Sequence, residues 1–399
     1  MKKLNLLLAP MDAITHEAFR NLVGRFGGCD EYFNEMINAS SLLNNGPWEK
    51  YYLLEGPEPE KLVWQLTDKS AEKMAGAARI LAERNGKGID LNMGCSAPQI
   101  AKTGAGIAWM LKPVEETSFM VRSVKSEIEN SAKDGAKPKR LSVKLRLGDE
   151  KYTEERLFDF CKMLIDEGVE MITLHARRQK QKHSRHSDWS AVARLCEKFP
   201  GFPVVLNGDV KDFESLSLAL KTAPKVSGVM IATAAVQKPW IFRELKDSFE
   251  ADENSEKLKS SEKNEISENA ENAKNNVSCW NLENGKTDSV CKPGENDKII
   301  KTLENAENAK NNVSCENLEF DAEKLALDFI DEVEKCQPPE FWKTRLQRFF
   351  AFYCLNFSFG HYFQSQMINL SGNDDARERI RQYFEKCPED RILSLKSVK

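Results

Sequence analysis

Eight short apolar runs, separated by helix-like segments, precede residue 235 and constrain the fold of this chain most strongly. Most of them are rich in Val, Ile and Leu without strict alternation, which is typical of parallel strands buried on both faces. Eight such strands with intervening helices over about 235 residues predict a (β/α)8 TIM barrel. The runs are Leu4–Pro10, Cys29–Glu35, Leu62–Leu66, Gly88–Gly94, Leu141–Leu147, Glu170–Ala176, Pro203–Asp209 and Gly228–Ala234.

A doubly wound sheet is the rival fold, and the end of the first run argues against it. Such a sheet has fewer strands and a glycine-rich phosphate loop after the first one. Here the first run ends in Ala9-Pro10-Met11, without that loop. The predicted helices between the strands include Ser70–Arg84, Pro113–Asn130, Glu154–Glu167 and Trp189–Phe199.

The segment 250–319 has a different composition, rich in Asn, Glu, Lys and Ser. Within it, a stretch of twelve residues, Glu268–Cys279, recurs with the same sequence at Glu304–Cys315. Because it cannot bury enough apolar surface to offset chain entropy, we expect it to be disordered. The expected domains are therefore a catalytic barrel at 1–247, this insert at 248–319 and a C-terminal helical domain at 320–399.

Charge and cysteine usage exclude some classes of function. The segment 250–319 holds 16 acidic residues and nine lysines, which give it a net charge of −7. Since the whole chain has a net charge of −4, the residues outside this segment have a net charge of +3. A mildly basic remainder permits nucleic-acid binding. The ten cysteines include no C-x-x-C pair, which argues against a metal site and a disulfide framework. No run of about 20 apolar residues indicates a membrane span, and we expect a cytoplasmic monomer.

The C-terminal region predicts four helices, at Ala322–Cys336, Phe341–Phe359, Gln364–Leu370 and Asp375–Lys386. The second carries Lys343, Arg345 and Arg348 beside several aromatic residues. Two interpretations stay open: a solvated basic face over an aromatic core, or a surface that binds a phosphate backbone.

Polar side chains follow the predicted strands, where barrel enzymes place their chemistry. Cys95 ends a buried run at a glycine-flanked position, where a thiol can give or take a proton. Gln65 could pair with the polar edge of a flavin, and Lys144 could stabilise negative charge on the reduced ring. Lys144 as an interior salt-bridge partner and His175 as a core histidine are the alternatives. The strand-end residues are Pro10, Met11, Asp12, Glu35, Gln65, Asn92, Cys95, Lys144, Arg146, His175, Arg177, Asn207, Gly208, Asp209, Ala232 and Thr233.

Six stretches, taken in order, resemble the tRNA-dihydrouridine synthase family. The resemblance covers residues 1–245 strongly and 320–399 weakly, as the family's helical tRNA-binding domain. The family's usual proline after the cysteine is Ser96 here, and its Gly-Arg after the eighth strand is Ala232-Thr233. The stretches are Ala9–Met11, Asp90–Cys95 with Gly104–Gly106, Val143–Arg146, His175–Arg177 with Asp188-Trp189, Asn207–Asp209 and Gly228–Ile231.

The resemblance implies an enzyme that reduces a uridine of tRNA with FMN as cofactor and NADPH as electron source. Cys95 would donate a proton to carbon 5 of the base, opposite the hydride added at carbon 6. Asn92 and Arg177 are expected to contact the substrate, and no metal is expected. The residues expected at FMN are Pro10, Met11, Asp12, Gln65, Lys144, His175, Asn207, Gly208, Asp209, Ala232 and Thr233.

Two other functions stay open at this stage. One is an FMN-dependent barrel oxidoreductase that acts on a free pyrimidine or another small metabolite. The other is a tRNA-binding protein that has lost its flavin. The basic helix after Phe341 favours a tRNA substrate, because a small metabolite needs no such surface.

Overall fold

The computed structural model describes residues 4–132, 137–181, 185–252 and 319–394. Nine parallel strands belong to one sheet in the order β2-β1-β9-β8-β7-β6-β5-β4-β3, and a further β2–β4 pairing closes it into a barrel. The predicted (β/α)8 barrel is therefore confirmed. The strands are β1 (Asn5–Leu8), β2 (Glu31–Phe33), β3 (Ile37–Asn38), β4 (Leu62–Thr67), β5 (Gly88–Met93), β6 (Arg140–Arg146), β7 (Met171–His175), β8 (Val204–Asn207) and β9 (Gly228–Ile231).

The short strand β3 is the one strand of this sheet that the sequence did not predict. It pairs with the end of β4, where Ile37 lies opposite Leu66, and stays outside the ring of eight. Seven buried residues form an apolar cluster inside the barrel: Leu7, Ala9, Phe33, Val63, Met171, Val205 and Met230.

Helices alternate with the strands, and several begin at residues whose side chains cap the first turn. Ser70, Thr153 and Asp188 each accept a hydrogen bond from a backbone N–H three residues later. Such caps satisfy orphan donors at helix starts. The helices of this part are α1 (Glu17–Phe26), α2 (Ala39–Leu43), α3 (Glu49–Tyr52), α4 (Ala71–Glu83), α5 (Pro98–Ala101), α6 (Ala108–Leu111), α7 (Val114–Asn130), α8 (Glu154–Asp166), α9 (Trp189–Lys198), α10 (Phe213–Thr222) and α11 (Thr233–Gln237).

The C-terminal region is helical, as predicted. A separate two-stranded sheet joins β10 (Glu319–Asp321) to β11 (Ile392–Ser394). Short 3₁₀ turns lie at Pro59–Lys61, Cys354–Asn356 and Pro388–Asp390. The helices are α12 (Ala322–Cys336), α13 (Pro339–Tyr353), α14 (Gly360–Ile368) and α15 (Asn373–Lys386).

The barrel and the C-terminal helices lie in one compact unit, Met1–Leu245 with Phe320–Leu393. A second unit comprises Lys246–Glu319 and Ser394–Lys399, of which the structure describes residues 246–252, 319 and 394. Most of the insert predicted to be disordered therefore lies outside the described residues. The three-domain division stays a prediction.

Within the first unit, the C-terminal helices pack on the β1–β2 side of the barrel through the start of the chain. Arg25 of α1 forms ion pairs with Asp328 at 3.0 Å and Glu332 at 2.8 Å, both on α12. The ring of Phe19 lies 6.1 Å from that of Phe349 on α13. Burial of these aromatic rings stabilises the contact without any charge.

Candidate active site

A chain of hydrogen bonds runs from the interior of the barrel to the predicted catalytic cysteine. Gln65 Nε2 donates to Asp90 Oδ2 at 2.7 Å, and Asn92 Nδ2 donates to Gln65 Oε1 at 2.9 Å. Asn92 Oδ1 then accepts the backbone N–H of Cys95 at 2.9 Å. We call Asp90, Gln65, Asn92 and the Cys95 N–H the amide chain. It places three of the predicted site residues in one network.

Register between strands explains why these side chains meet. Gln65 lies opposite Asp90 across β4–β5, and Asp90 lies opposite Ser142 across β5–β6. Ser142 Oγ donates to Asp90 Oδ1 at 2.6 Å, so both carboxylate oxygens are engaged. Burial raises the pKa of Asp90 to about 6, although the hydrogen bonds from Ser142 and Gln65 lower it in part.

The peptide that carries Cys95 is held on both sides. Its carbonyl accepts the N–H of Ile107 at 3.0 Å, and its own N–H is bound by Asn92. Gly106 has φ +60°, and a Cβ there would lie 2.6 Å from the Cys95 carbonyl oxygen. Only glycine fits such a close approach at positive φ. The Cys95 side chain is partly exposed, as a proton donor to a ligand must be.

Lys144 supplies a cation beside the amide chain, since it lies opposite Asn92 across β5–β6. Burial and the neighbouring Arg146 lower the pKa of Lys144 to about 8, while Asp90 and Cys95 oppose the shift. An ammonium with this pKa is still mostly protonated at pH 7 and can stabilise an anion. Burial also lowers the pKa of Arg146.

A cavity of about 960 Å³ opens at the ends of β7, β8 and β9. Within the described part of the chain, its wall leaves out Gln65, Asn92, Cys95 and Lys144, which belong to the strands that precede β7 in barrel order. The structure thus brings the predicted residues together in two neighbouring groups. The cavity wall includes seven of them: His175, Arg177, Asn207, Gly208, Asp209, Ala232 and Thr233.

Charged hydrogen bonds hold the cavity wall. Arg177 is buried and its guanidinium donates to Asp209 and, at 2.9 Å, to His175 Nε2. Because a guanidinium can only donate, His175 Nε2 accepts, and a neutral ring then carries its proton on Nδ1. Burial raises the pKa of Asp209, but hydrogen bonds from Ser187 and Arg177 outweigh it and lower the pKa overall.

Gly208 shapes the wall between these groups. It has φ +116°, and a Cβ there would lie 2.3 Å from Ser187 Oγ and 3.1 Å from His175 Cδ2. The Ser187 hydroxyl is buried and forms no hydrogen bond with any residue that the structure describes. Its position in the cavity wall makes it available to a polar ligand.

The three predicted residues after β1 occupy a tight turn. The backbone N–H of Met11 donates to Thr15 Oγ1 at 2.9 Å, and its carbonyl accepts the Thr15 N–H at 3.0 Å. Pro10 and Met11 are half-buried, whereas Asp12 is exposed. Their contact with a cofactor stays a prediction.

The phosphate-binding interpretation of the second C-terminal helix is wrong for Arg345. Its side chain is buried and forms an ion pair with Glu35, just beyond β2. It also lies 5.1 Å from the ring centre of Phe341. A guanidinium in a buried pair cannot reach a phosphate backbone. Lys343 and Arg348 are exposed, so phosphate binding by this helix stays a prediction for those two residues.

Three residues of the site escaped the sequence analysis as functional groups: Asp90, Ser187 and Phe352. Asp90 was visible as a buried acidic residue two positions before Asn92, and that spacing puts both on one face of a strand. Ser187 precedes the quoted Asp188-Trp189 pair but has no signal of its own. Phe352 reaches the cavity wall from α13, a contact over more than 100 residues of sequence that no local pattern reveals.

The profile of the family described as Dihydrouridine synthase (Dus) matches residues 7–322. The chain belongs to the dihydrouridine synthase family. The match extends over the barrel strands and both groups of site residues, so the resemblance predicted from the sequence is confirmed.

Curated relatives agree with the family assignment. A probable tRNA-dihydrouridine synthase of Aquifex aeolicus is 33% identical over 249 residues, which are 62% of this chain and 74% of the relative. The tRNA-dihydrouridine synthase B of Pseudomonas putida is 27% identical over 242 residues, 61% of this chain and 68% of that protein. A probable tRNA-dihydrouridine synthase of Mycobacterium tuberculosis is 30% identical over 253 residues, 61% of this chain and 62% of that protein.

The described residues contain no group of three or more His, Cys, Asp or Glu side chains arranged to hold a metal ion. In the same ranges, no helix combines the length and the apolar character needed to cross a membrane.

Proposed function

We propose that this dihydrouridine synthase reduces the 5,6 double bond of a uridine in tRNA, with FMN as its cofactor and NADPH as its electron source. One observation carries the proposal. A partly exposed thiol, Cys95, stands at a barrel strand end with its peptide fixed by Asn92 and a cationic Lys144 opposite that asparagine. A family member with this arrangement has the groups that the reaction requires.

The donor set of the barrel fits FMN. A cavity of about 960 Å³ is large enough for most of a drug-sized ligand. Its wall offers the Ser187 hydroxyl, which bonds to none of the described residues, and Gly208 leaves space that a side chain would fill. The residues that would hold the cofactor are Pro10, Met11, Asp12, Gln65, Lys144, His175, Asn207, Gly208, Asp209, Ala232 and Thr233.

The chemistry that FMN would supply when bound is the hydride for carbon 6 of the uracil. Cys95 then donates the thiol proton to carbon 5, so that one hydride and one proton together saturate the double bond. Lys144 stabilises negative charge on the cofactor side, since its ammonium is mostly protonated near neutral pH. Asn92 and Arg177 would orient the base, which must leave the tRNA stack to reach them.

Purified protein tests this function directly. We expect a flavin absorbance spectrum, bleaching of that spectrum by NADPH under anaerobic conditions, and reoxidation by unmodified tRNA with formation of dihydrouridine. Free uridine serves as the control substrate, because an oxidoreductase for a small pyrimidine would reoxidise with it. Reoxidation by uridine but not by tRNA would refute the proposal.

The tRNA partner predicts a defined salt dependence. Lys343 and Arg348 are exposed on α13, whereas Arg345 is engaged with Glu35. If both exposed residues contact phosphates, changing the two to Ala lowers the slope of log affinity against log salt by roughly 0.7–0.9 per lost contact. Titration of labelled tRNA at several salt concentrations measures it. An unchanged slope would remove this helix face from the RNA-binding surface.

A further inference from the structure

Asp90 is fully buried in the barrel and has no assigned role in the proposed reaction. It lies two residues before Asn92 and five before Cys95. Its carboxylate accepts from Gln65 Nε2 at 2.7 Å and from Ser142 Oγ at 2.6 Å. Burying a carboxylate costs free energy unless hydrogen bonds compensate it, and these two bonds offset part of that cost.

An ionised carboxylate can only accept, and this fixes every link that follows it. Gln65 must turn its NH₂ group toward Asp90, so its carbonyl oxygen faces Asn92. Asn92 must then turn its own NH₂ group toward Gln65. Its carbonyl oxygen is therefore left to accept the N–H groups of Gly94 at 3.3 Å and Cys95 at 2.9 Å.

We propose that Asp90 is a positioning residue, which sets the direction of the amide chain and thereby holds the peptide of Cys95 in place. Without a fixed acceptor at its start, each amide can rotate by 180° and exchange its oxygen and nitrogen. A reversed Asn92 presents NH₂ to the N–H groups of Gly94 and Cys95, which removes both bonds. The catalytic consequence of this positioning rests on the proposed function, but the structural consequence does not.

Asp90→Asn is the variant that tests the direction of the hydrogen bonds in the amide chain. It keeps the size of the side chain, yet it can present either its oxygen or its nitrogen to Gln65. The matched control is Ser142→Ala, which removes the other hydrogen bond of Asp90 and leaves the carboxylate facing Gln65. Both are assayed at pH 8, above the pKa of about 6 to which burial raises Asp90.

The backbone N–H of Cys95 reports the outcome independently of activity. Protein labelled with ¹⁵N-cysteine gives signals for ten residues, and a Cys95→Ser sample identifies the one from position 95. We expect hydrogen exchange of this N–H to be about ten-fold faster in Asp90→Asn, as for loss of one buried hydrogen bond. Ser142→Ala should leave it unchanged. Single-turnover oxidation by tRNA should slow by about ten-fold in Asp90→Asn alone, because a misplaced reacting group lowers the rate.

Unchanged exchange in Asp90→Asn would overturn the proposal, and so would equal acceleration in both variants, because that indicates general loosening of the barrel. If Asp90→Asn does not fold, Gln65→Met tests the next link. It should expose the Cys95 N–H in the same way, and protection retained there would also overturn the proposal. If the wild-type protein does not reduce tRNA, but hydrogen exchange at Cys95 is still faster in Asp90→Asn than in the wild type, the proposed function is refuted and the positioning role of Asp90 stands.

Discussion

The two sides of the barrel's carboxyl end use their strand-end residues differently. On β4 to β8 the polar side chains bond to one another, as in the amide chain and the Arg177–Asp209 pair, and the second of these lies in the wall of the cavity. Near β1 and β2 the C-terminal helices contact polar residues instead: Glu35, just beyond β2, pairs with Arg345, and His16, at the start of α1, stacks on Phe329. Polar residues near the strand ends therefore bond within the barrel on one side and to the C-terminal helices on the other.

This difference teaches that a polar residue after a barrel strand is only a candidate for function. What decides its role is whether the space above it is open or filled by another element. Glu35, just beyond β2, pairs with Arg345 of α13, whereas Gln65 and Asn92, near the ends of β4 and β5, bond to each other. We therefore expect that the open side, β4 to β8, can be altered without loss of the fold, and the filled side, β1 and β2, without loss of the chemistry.

Replacement of Cys95 by Ala should give the largest effect on the open side. Loss of a general acid typically slows a reaction by about 10²–10⁴-fold. Because Cys95 is partly exposed and its peptide is held by backbone bonds, flavin content and tRNA affinity should stay near wild type. Single-turnover oxidation of the NADPH-reduced protein by tRNA measures the rate. Cys161→Ala, which removes a buried thiol from α8, is the control, and a near-wild-type rate for Cys95→Ala would exclude its role.

Glu35→Ala should give the largest effect on the filled side. It leaves the buried Arg345 guanidinium without its carboxylate, and removal of one partner of a buried pair typically costs about 3–5 kcal/mol in free energy of unfolding. Asp328→Ala breaks a pair whose arginine is 42% exposed, so it should cost under about 1 kcal/mol. Denaturant unfolding compares the two, and equal costs would show that burial of the Glu35 pair is unimportant.

The sequence predicted the strands and helices well because each depends on local pattern. Helix α12, Ala322–Cys336, has the predicted bounds, and β5 differs from its predicted run by one residue. The Cys95 end of the site followed from the same local reasoning. Glu35 and Arg345 could not be paired in this way, since 310 residues separate them and no period links them. Their contact depends on how α13 docks, which only the folded chain defines.

Gly208→Ala should weaken flavin binding by changing the cavity wall alone. The new Cβ would lie 2.3 Å from Ser187 Oγ at φ +116°, so the wall must move. We expect a loss of flavin affinity corresponding to about 1–3 kcal/mol, the usual cost of a strained site. Gly201→Ala is the matched control, because Gly201 also has positive φ, +82°, but open space around its Cβ position. Fluorescence titration of the apoprotein with FMN compares them, and equal affinities would show that the wall does not contact the cofactor.

Replacement of His16 should give the smallest effect, which appears only in how the free energy of unfolding depends on pH. The ring is buried, and within the described ranges neither of its nitrogens has a hydrogen-bond partner. Burial, with the nearby charges of Arg345 and Arg20, lowers the pKa of His16 well below 6.5. As the pH falls below about 6.5, His16 therefore becomes protonated in the unfolded chain while it stays neutral in the folded chain.

The sign follows from this difference. Above about pH 6.5 both states are neutral and His16 has no effect on the pH dependence, whereas below it stability falls by at most about 1.4 kcal/mol per pH unit. The fall continues until the lowered pKa of the folded state is reached. His16→Leu cannot titrate, so its unfolding free energy should decline less between pH 6.5 and 5 than that of the wild type. If the unfolding free energies of the two proteins decline equally with pH, the folded chain binds a proton at His16 as readily as the unfolded chain does, and this prediction is wrong.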